Sequence, residues 1–218
     1  MAQADDLTLD ELRLRLAPLV AEAAIFDGWS DAALAHASEA AGTDPALARL
    51  AFPGGAIDMI EAWAASVAAK MEAAFDREVL AQMPIRERIR ALVWFRLEAV
   101  FGLEEALRRA LAIQAMPQHL VRAAKLGWAS ADRMWRLAGD TATDYNHYTK
   151  RAILAGVYAA TLAAFIDDQS EGKAETRLFL DRRIEGVMKF EKTKAKWLAK
   201  REHFDPVRFL GRLRYPAR

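Results

Sequence analysis

The residues able to do chemistry are few and scattered. The histidines are His36, His119, His147 and His203, and no two of them share a motif. A di-iron site in a helical bundle needs two Glu-x-x-His helices and two further carboxylates. The nearest pattern is a single Asp144-x-x-His147, which at a helix start reads as a capped, solvated pair rather than a ligand set. There is no cysteine, so no thiolate nucleophile, disulfide framework or thiolate-bound metal is available, in keeping with a reducing compartment. Neither a glycine-rich phosphate loop nor a Gly-x-Ser-x-Gly turn occurs. The expectation is a protein that is not an enzyme, with no catalytic residue, no metal and no cofactor.

The densest cluster of polar and aromatic groups runs from Trp135 to Arg151, and the stretch Ala152 to Ile166 that follows carries no charge. Thr143 or Asp144 can cap the helix that begins there. An uncharged run of that length is shorter than the roughly 18 to 20 residues a bilayer span needs, so other protein has to bury it. Asp144, His147, Tyr148 and Lys150 are then displayed where the most buried helix emerges, and their role is recognition.

The elements that position these residues are helical throughout. Apolar residues recur at three and four, and Ala, Leu, Arg and Glu dominate. The pattern predicts helices from Leu7 to Phe26, from the Ser30 cap to Ala41, from Asp44-Pro45 onward, from about Ile57 to Phe75, and from Pro84 to Phe101. Further helices are predicted from Glu104 to Ala115, Pro117 to Leu137, Asp144 to Ile166 and Thr176 to Met188. With 218 residues and 53% hydrophobic content the chain can build a sizeable core. The expected organisation is an N-terminal unit over residues 1–56, a helical core over 57–188 and a basic tail over 189–218. The N-terminus is too acidic for a transit peptide and lacks a secretory signal, so the chain reads as cytoplasmic and bacterial.

Gly28-Trp29-Ser30 to Phe52-Pro53 has the spacing of a TetR-type helix-turn-helix, with Ala41-Gly42-Thr43 as the turn. Between Asp27 and Glu61, however, six carboxylates face Arg49 alone, a net charge of −5. Counterion release gives such a surface no affinity for a polyanion, so no nucleic acid is expected as a partner. From Lys189 to Arg218 the balance is reversed, at a net +7 with aromatics interleaved. Phe190, Trp197, Leu198, Phe209, Leu210 and Leu213 among lysines and arginines form the pattern of an interfacial helix on an anionic membrane. Pro206 divides the tail. The alternative is a basic helix docked on its own domain.

Trp135, Ala138-Gly139-Asp140, Thr143-Asp144, Asn146, Tyr148-Thr149-Lys150-Arg151, Ala155, Tyr158 and Asp168-x-Ser170 resemble the signature of the ninth Coq protein family, accessory proteins of ubiquinone biosynthesis. The likeness continues through Phe179-Leu180-Asp181-Arg182-Arg183-Ile184 and departs at His147, where the family usually has Trp. The resemblance implies an all-α, TetR-like helical bundle with a helix-turn-helix-like N-terminal unit, a C-terminal amphipathic helix and a lipid cavity. It implies a bound isoprenoid quinone or phospholipid, partnership with the demethoxyubiquinone hydroxylase, a homodimer and a peripheral place on the inner membrane. Carried over onto this chain, the partner patch comprises Met134, Asp144, His147 and Tyr148. Large apolar residues at helical spacing are core by default, and only the resemblance turns Trp94, Phe95, Phe101, Trp135, Tyr158 and Phe165 into expected lipid contacts. The rival readings are a TetR-type regulator sensing a hydrophobic ligand and a metal oxygenase.

Overall fold

Short oxygen-bearing side chains start the first helices, because the free amides of a first turn need acceptors. Thr8 and Glu11 form a reciprocal capping box that opens α1 (Leu9–Asp27). Ser30 accepts from the Ala33 amide at the start of α2 (Asp31–Ala41). Asp44 accepts from the Ala46 amide and Pro45 takes the first helical position of α3 (Pro45–Ala51). The computed structural model describes residues 7–141 and 145–202, apart from the side chains of Tyr145 and of residues 190–202. Within them the chain is all-α, with no strand, and continues as α4 (Ala56–Ala74), α5 (Arg77–Ala81), α6 (Ile85–Glu98), α7 (Glu104–Gln114), α8 (Leu120–Leu137), α9 (Tyr145–Asp167) and α10 (Ala174–Glu202).

The predicted helices are found, with three differences of extent. α5 is a single extra turn, capped by Asp76, and too short to show a period. α6 ends at Glu98 rather than Phe101, because the chain turns over Val100 to Gly102, whose φ of 78° suits glycine. α10 is continuous from Ala174 to Glu202 and does not stop at Met188. Pro206 lies outside the described residues.

The first three helices form the helix-turn-helix-like unit, with Gly42 in the left-handed conformation at the end of α2. Two of its arginines serve the fold. Arg13 on α1 donates through Nε to the carbonyl of Ala51 at the end of α3, and Arg15 donates to the Ala41 carbonyl at the end of α2, 2.7 Å away. Each cation thus satisfies carbonyls at the negative end of a helix. Trp29 anchors the unit on the rest of the bundle: its indole donates to the Ala106 carbonyl at 2.9 Å and its ring lies 5.3 Å from that of Trp63 on α4. Leu12, Leu16 and Val20 of α1 are fully buried, recurring every four residues on the inward face.

Two compact units divide the chain, residues 1–180 and 181–218. In the first, α4 and α6 to α9 pack around a shared core that includes Ile60, Leu92, Leu97 and Phe165. In the second, α10 continues as regular helix to Glu202. By length and composition α9 could cross a membrane, counted from Asn146 to Asp167. Here it is a bundle helix, burying Leu154, Leu162, Phe165 and Ile166 on one side while Ala152, Gly156, Ala159 and Ala163 stay exposed on the other.

Candidate functional site: an apolar cavity and a charged aromatic face

A cavity of about 300 Å³ lies among α4, α6, α7, α8 and α9. Its walls are Trp63 and Val67 from α4, Leu107 and Leu111 from α7, Leu126 from α8 and Leu162 from α9, among other apolar residues. Polar groups are few, as in sites for small apolar molecules: Gln114, Ser130, Tyr158 and the guanidinium of Arg96. Arg96 is 1% exposed. It donates from Nη2 to Ser130 Oγ at 3.2 Å, and its charge lies 5.1 Å from the centre of the Tyr158 ring.

Of the six expected lipid contacts, Tyr158 lines this cavity and the other five lie outside its lining. Helix geometry explains the displacement. Trp94 is two positions from Arg96, so it points roughly 200° around α6 from the residue that faces the cavity. It joins Phe101 edge-on at 6.0 Å, and Phe101 stacks on Phe165 at 5.4 Å. Arg177 sits over Trp94 at 3.9 Å and Lys173 over Phe165 at 4.7 Å, closing this second aromatic cluster with cations. Phe95 packs edge-on against Phe75. The Trp135 indole donates to the Lys150 carbonyl at 3.0 Å, tying α8 to α9.

The polar stretch between α8 and α9 is built around one buried cation. Gly139 turns the chain at φ 89°, and the amides of Gly139 and Asp140 close a Schellman pair onto the carbonyls of Arg136 and Trp135. That turn delivers Asp140 to Arg151, whose Nη1 donates to it at 3.0 Å, while Lys150 donates to its other oxygen at 2.7 Å. Arg151, 1% exposed, also donates from Nε to Asp132 on α8 and from Nη1 to the His147 carbonyl. Burial pushes the Asp140 carboxyl toward the neutral form, but the hydrogen bonds and charges of Lys150 and Arg151 outweigh it and hold the acid below its ordinary range.

Above this network the surface is aromatic. Tyr148 is 61% exposed, and its ring lies 5.1 Å from that of His147 and 6.1 Å from that of Trp128. Trp128, on α8, is also 6.4 Å from His147, so an indole stands beside the position where the family usually places one. Nothing in the sequence around Trp128 links it to a site twenty positions away. Met134, expected in the same patch, is fully buried and contributes no surface. Asp144 lies outside the described residues, as do His203, Phe209, Leu210 and Leu213. Phe190, Trp197 and Leu198 fall on α10, with their side chains outside the description.

Asp168 closes the other end of α9. Its Oδ1 accepts from the amide and hydroxyl of Ser170, and its Oδ2 from the amide and hydroxyl of Thr176. Burial works against its charge, yet these four donors prevail and hold it far below the usual carboxylate range. The Asp168-x-Ser170 motif is therefore the joint that starts α10. A third charged site joins α4 to α8, where Arg122 donates to both oxygens of Glu61 and, at 2.6 Å, to Asp58. Two of the six acidic groups of the N-terminal segment are thereby paired.

The arrangement defines a TetR-like helical protein with an apolar, partly open cavity among five of its helices. In agreement, the chain superposes on a TetR transcriptional regulator from Nitrosomonas europaea with a TM-score of 0.62 at 19% identity, over 80% of this chain and 97% of that one, a likeness of fold. Residues 120–191 match the COQ9 family model. The mitochondrial ubiquinone biosynthesis protein COQ9 of Rattus norvegicus is 32% identical over 168 residues, 74% of this chain and 54% of the relative. That of Homo sapiens is 27% identical over 186 residues, 82% of this chain and 58% of the relative. The chain belongs to the COQ9 family, and it spans between half and three-fifths of the length of these relatives.

Proposed function

We propose that this chain is a non-catalytic lipid-binding accessory protein of ubiquinone biosynthesis, which takes up an isoprenoid quinone intermediate and presents it to a membrane-associated di-iron hydroxylase, the demethoxyubiquinone hydroxylase. The observation that carries the reading is the cavity. It is walled by side chains from five helices, it has few polar groups, and it occurs in a chain whose relatives are named for ubiquinone biosynthesis. Its volume is at the lower end of the roughly 300 to 1,000 Å³ common for ligand sites, enough for a head group and the first units of a tail. The aromatic face of Trp128, His147 and Tyr148 would dock the hydroxylase, since exposed aromatics over a rigid, ion-paired base are the usual anchors of an interface. The basic tail would rest on anionic lipid at the inner membrane. The exposed small residues Ala152, Gly156, Ala159 and Ala163 of α9 let a second helix approach closely, which fits a homodimer.

A TetR-type regulator is the rival reading. It would need cations on the helix-turn-helix, but Arg13 and Arg15 are committed to helix carbonyls and Arg49 is the basic residue of α3. The deciding experiment is native mass spectrometry of the full chain, purified without detergent from a quinone-producing host. A co-purifying isoprenoid lipid, lost when Leu162→Trp or Leu111→Trp fills the cavity, is the expected result. A folded protein that carries no lipid and takes up none from vesicles would remove the reading.

A further inference from the structure

Arg96 is the one polar side chain of the cavity that brings a full charge into it, and the fold gives that charge almost nothing to hold. Among the described residues its Nε and Nη1 have no hydrogen-bond partner, and Nη2 has only the neutral Ser130 hydroxyl. No carboxylate among the described residues accepts from it. A guanidinium keeps its proton in protein interiors, so it cannot escape the cost of burial by becoming neutral. Interiors retain such a charge when something compensates it. The Tyr158 ring face at 5.1 Å offers a partial, one-sided attraction and no acceptor.

The rest of the molecule treats buried charge differently. Arg151 is equally buried and donates to two carboxylates and a backbone carbonyl. Arg122, less buried, takes two carboxylates. Against that standard, Arg96 stands with two unpartnered nitrogens in the wall of a space that is otherwise apolar, the arrangement of a receptor for a head group whose tail fills the remainder.

We propose that Arg96, with Ser130 beside it, is the head-group receptor of the cavity, and that the molecule it receives is an amphiphile with an oxyanion head, a carboxylate or a phosphate monoester, on an apolar tail. The proposal rests on the lipid-cavity reading above and departs from it in the head group, an acid in place of a neutral quinone. Neutral quinones and alcohols would enter the same space but leave the charge without a counter-ion, so they would bind more weakly than an acid of matched tail. An oxyanion head can accept from one unpartnered nitrogen and from the second Nη2 hydrogen along the same edge of the guanidinium, leaving the first Nη2 hydrogen on Ser130. This also fixes the orientation of the tail against Val67, Leu111 and Leu162.

The test uses the full chain and two matched probe pairs below their micellar concentrations: oleate against oleyl alcohol, and farnesyl phosphate against farnesol. Binding is read by displacement of a fluorescent fatty alcohol and by the shift in melting temperature. The expected result is at least a tenfold preference for the acid in one or both pairs. The pair with the larger ratio identifies the head as carboxylate or phosphate. In Arg96→Met the preference collapses toward unity while the alcohols bind as before or better, and Arg96→Gln gives the same loss should the Met variant fold poorly. If the alcohols bind the natural chain as tightly as the acids, or if the preference survives in both variants, the head-group claim falls and the lipid cavity stands. If none of the four probes binds, both readings fall together.

Discussion

Two arginines of this protein are equally buried and oppositely served. Arg151, at the head of α9, donates to Asp132, Asp140 and the His147 carbonyl. Arg96, on α6, has Ser130 and two unpartnered nitrogens. The first is a structural keystone: it fixes the turn after α8 and the angle at which α9 leaves it. The second sits in a cavity and stabilises nothing comparable. A buried ion that the fold satisfies belongs to the architecture, and one the fold leaves wanting points to a ligand.

The sharpest way to break the comparison is to remove each cation in turn. Arg151→Met leaves Asp132 with Arg136 and Asp140 with Lys150, both cations partly exposed. Removal of one partner from a buried pair costs about 3 to 5 kcal/mol, reduced here by what these two cations retain. Chemical denaturation of the variant should show that loss, with part of it recovered when Asp140→Asn is added. A loss under about 1 kcal/mol would mean that the network is replaceable. Asp168→Asn comes next. It removes a charge that four donors satisfy and turns an amide N–H toward donors, for an expected cost of about 1.5 to 3 kcal/mol.

Both acids also set the acid limit of the fold. Asp140 and Asp168 have folded pKa values depressed below the ordinary 3.8. Their stabilisation is therefore complete above the unfolded value and is lost as pH falls below it toward the folded values. Stability measured downward from pH 5 should drop steeply in the natural chain and less steeply in Asp168→Asn. Parallel curves would show that these carboxylates do not govern acid unfolding.

Much of the fold was legible because its signals are local. Ser30, Asp44 with Pro45, and the run from Ala152 to Ile166 mark helix starts and burial within a few residues of themselves. The cavity was not legible, because which face of α6 points inward depends on α4, α7, α8 and α9. In sequence Arg96 is one more arginine on a helix that also carries Arg86, Arg88 and Arg90, and the larger Trp94 draws the eye to the wrong side. Arg88 shows how little residue type says by itself, for it spends its donors on the carbonyls of Ala81, Met83 and Ala138. The resemblance in the α8–α9 segment had a mixed character of the same kind. Gly139, Asp140, Arg151 and Asp168 of that signature maintain backbone turns and ion pairs, whereas Tyr148 faces outward. Trp128 escaped notice because its neighbours in space come from α9.

Arg96→Met tests the other half of the comparison on stability alone. Exchanging a buried, poorly paired ion for an apolar side chain is often neutral or stabilising, so without added lipid the variant should unfold within about 1 kcal/mol of the natural chain, or above it. The contrast with Arg151→Met then reads several kcal/mol between two identical substitutions at equally buried sites. A large loss at Arg96 would show that Ser130 and Tyr158 suffice to make it a structural residue.

The smallest effect on stability, and the largest on partnership, is expected on the aromatic face above Arg151. Tyr148 is mostly exposed, and removing its ring takes away contacts with His147 and Trp128 but no core packing. Tyr148→Ala and His147→Ala should each change unfolding free energy by roughly 0.5 kcal/mol, the range of ordinary surface substitutions. Their binding to the purified hydroxylase should fall at least tenfold, since an aromatic hot spot typically carries about 2 kcal/mol or more of an interface. Trp128→Ala would share the loss if the three rings act as one surface, and the double variant with Tyr148→Ala would then be less than additive. Equal binding by all three single variants would take the aromatic face out of the proposed hydroxylase contact, and would leave the network around Arg151 with a purely architectural role.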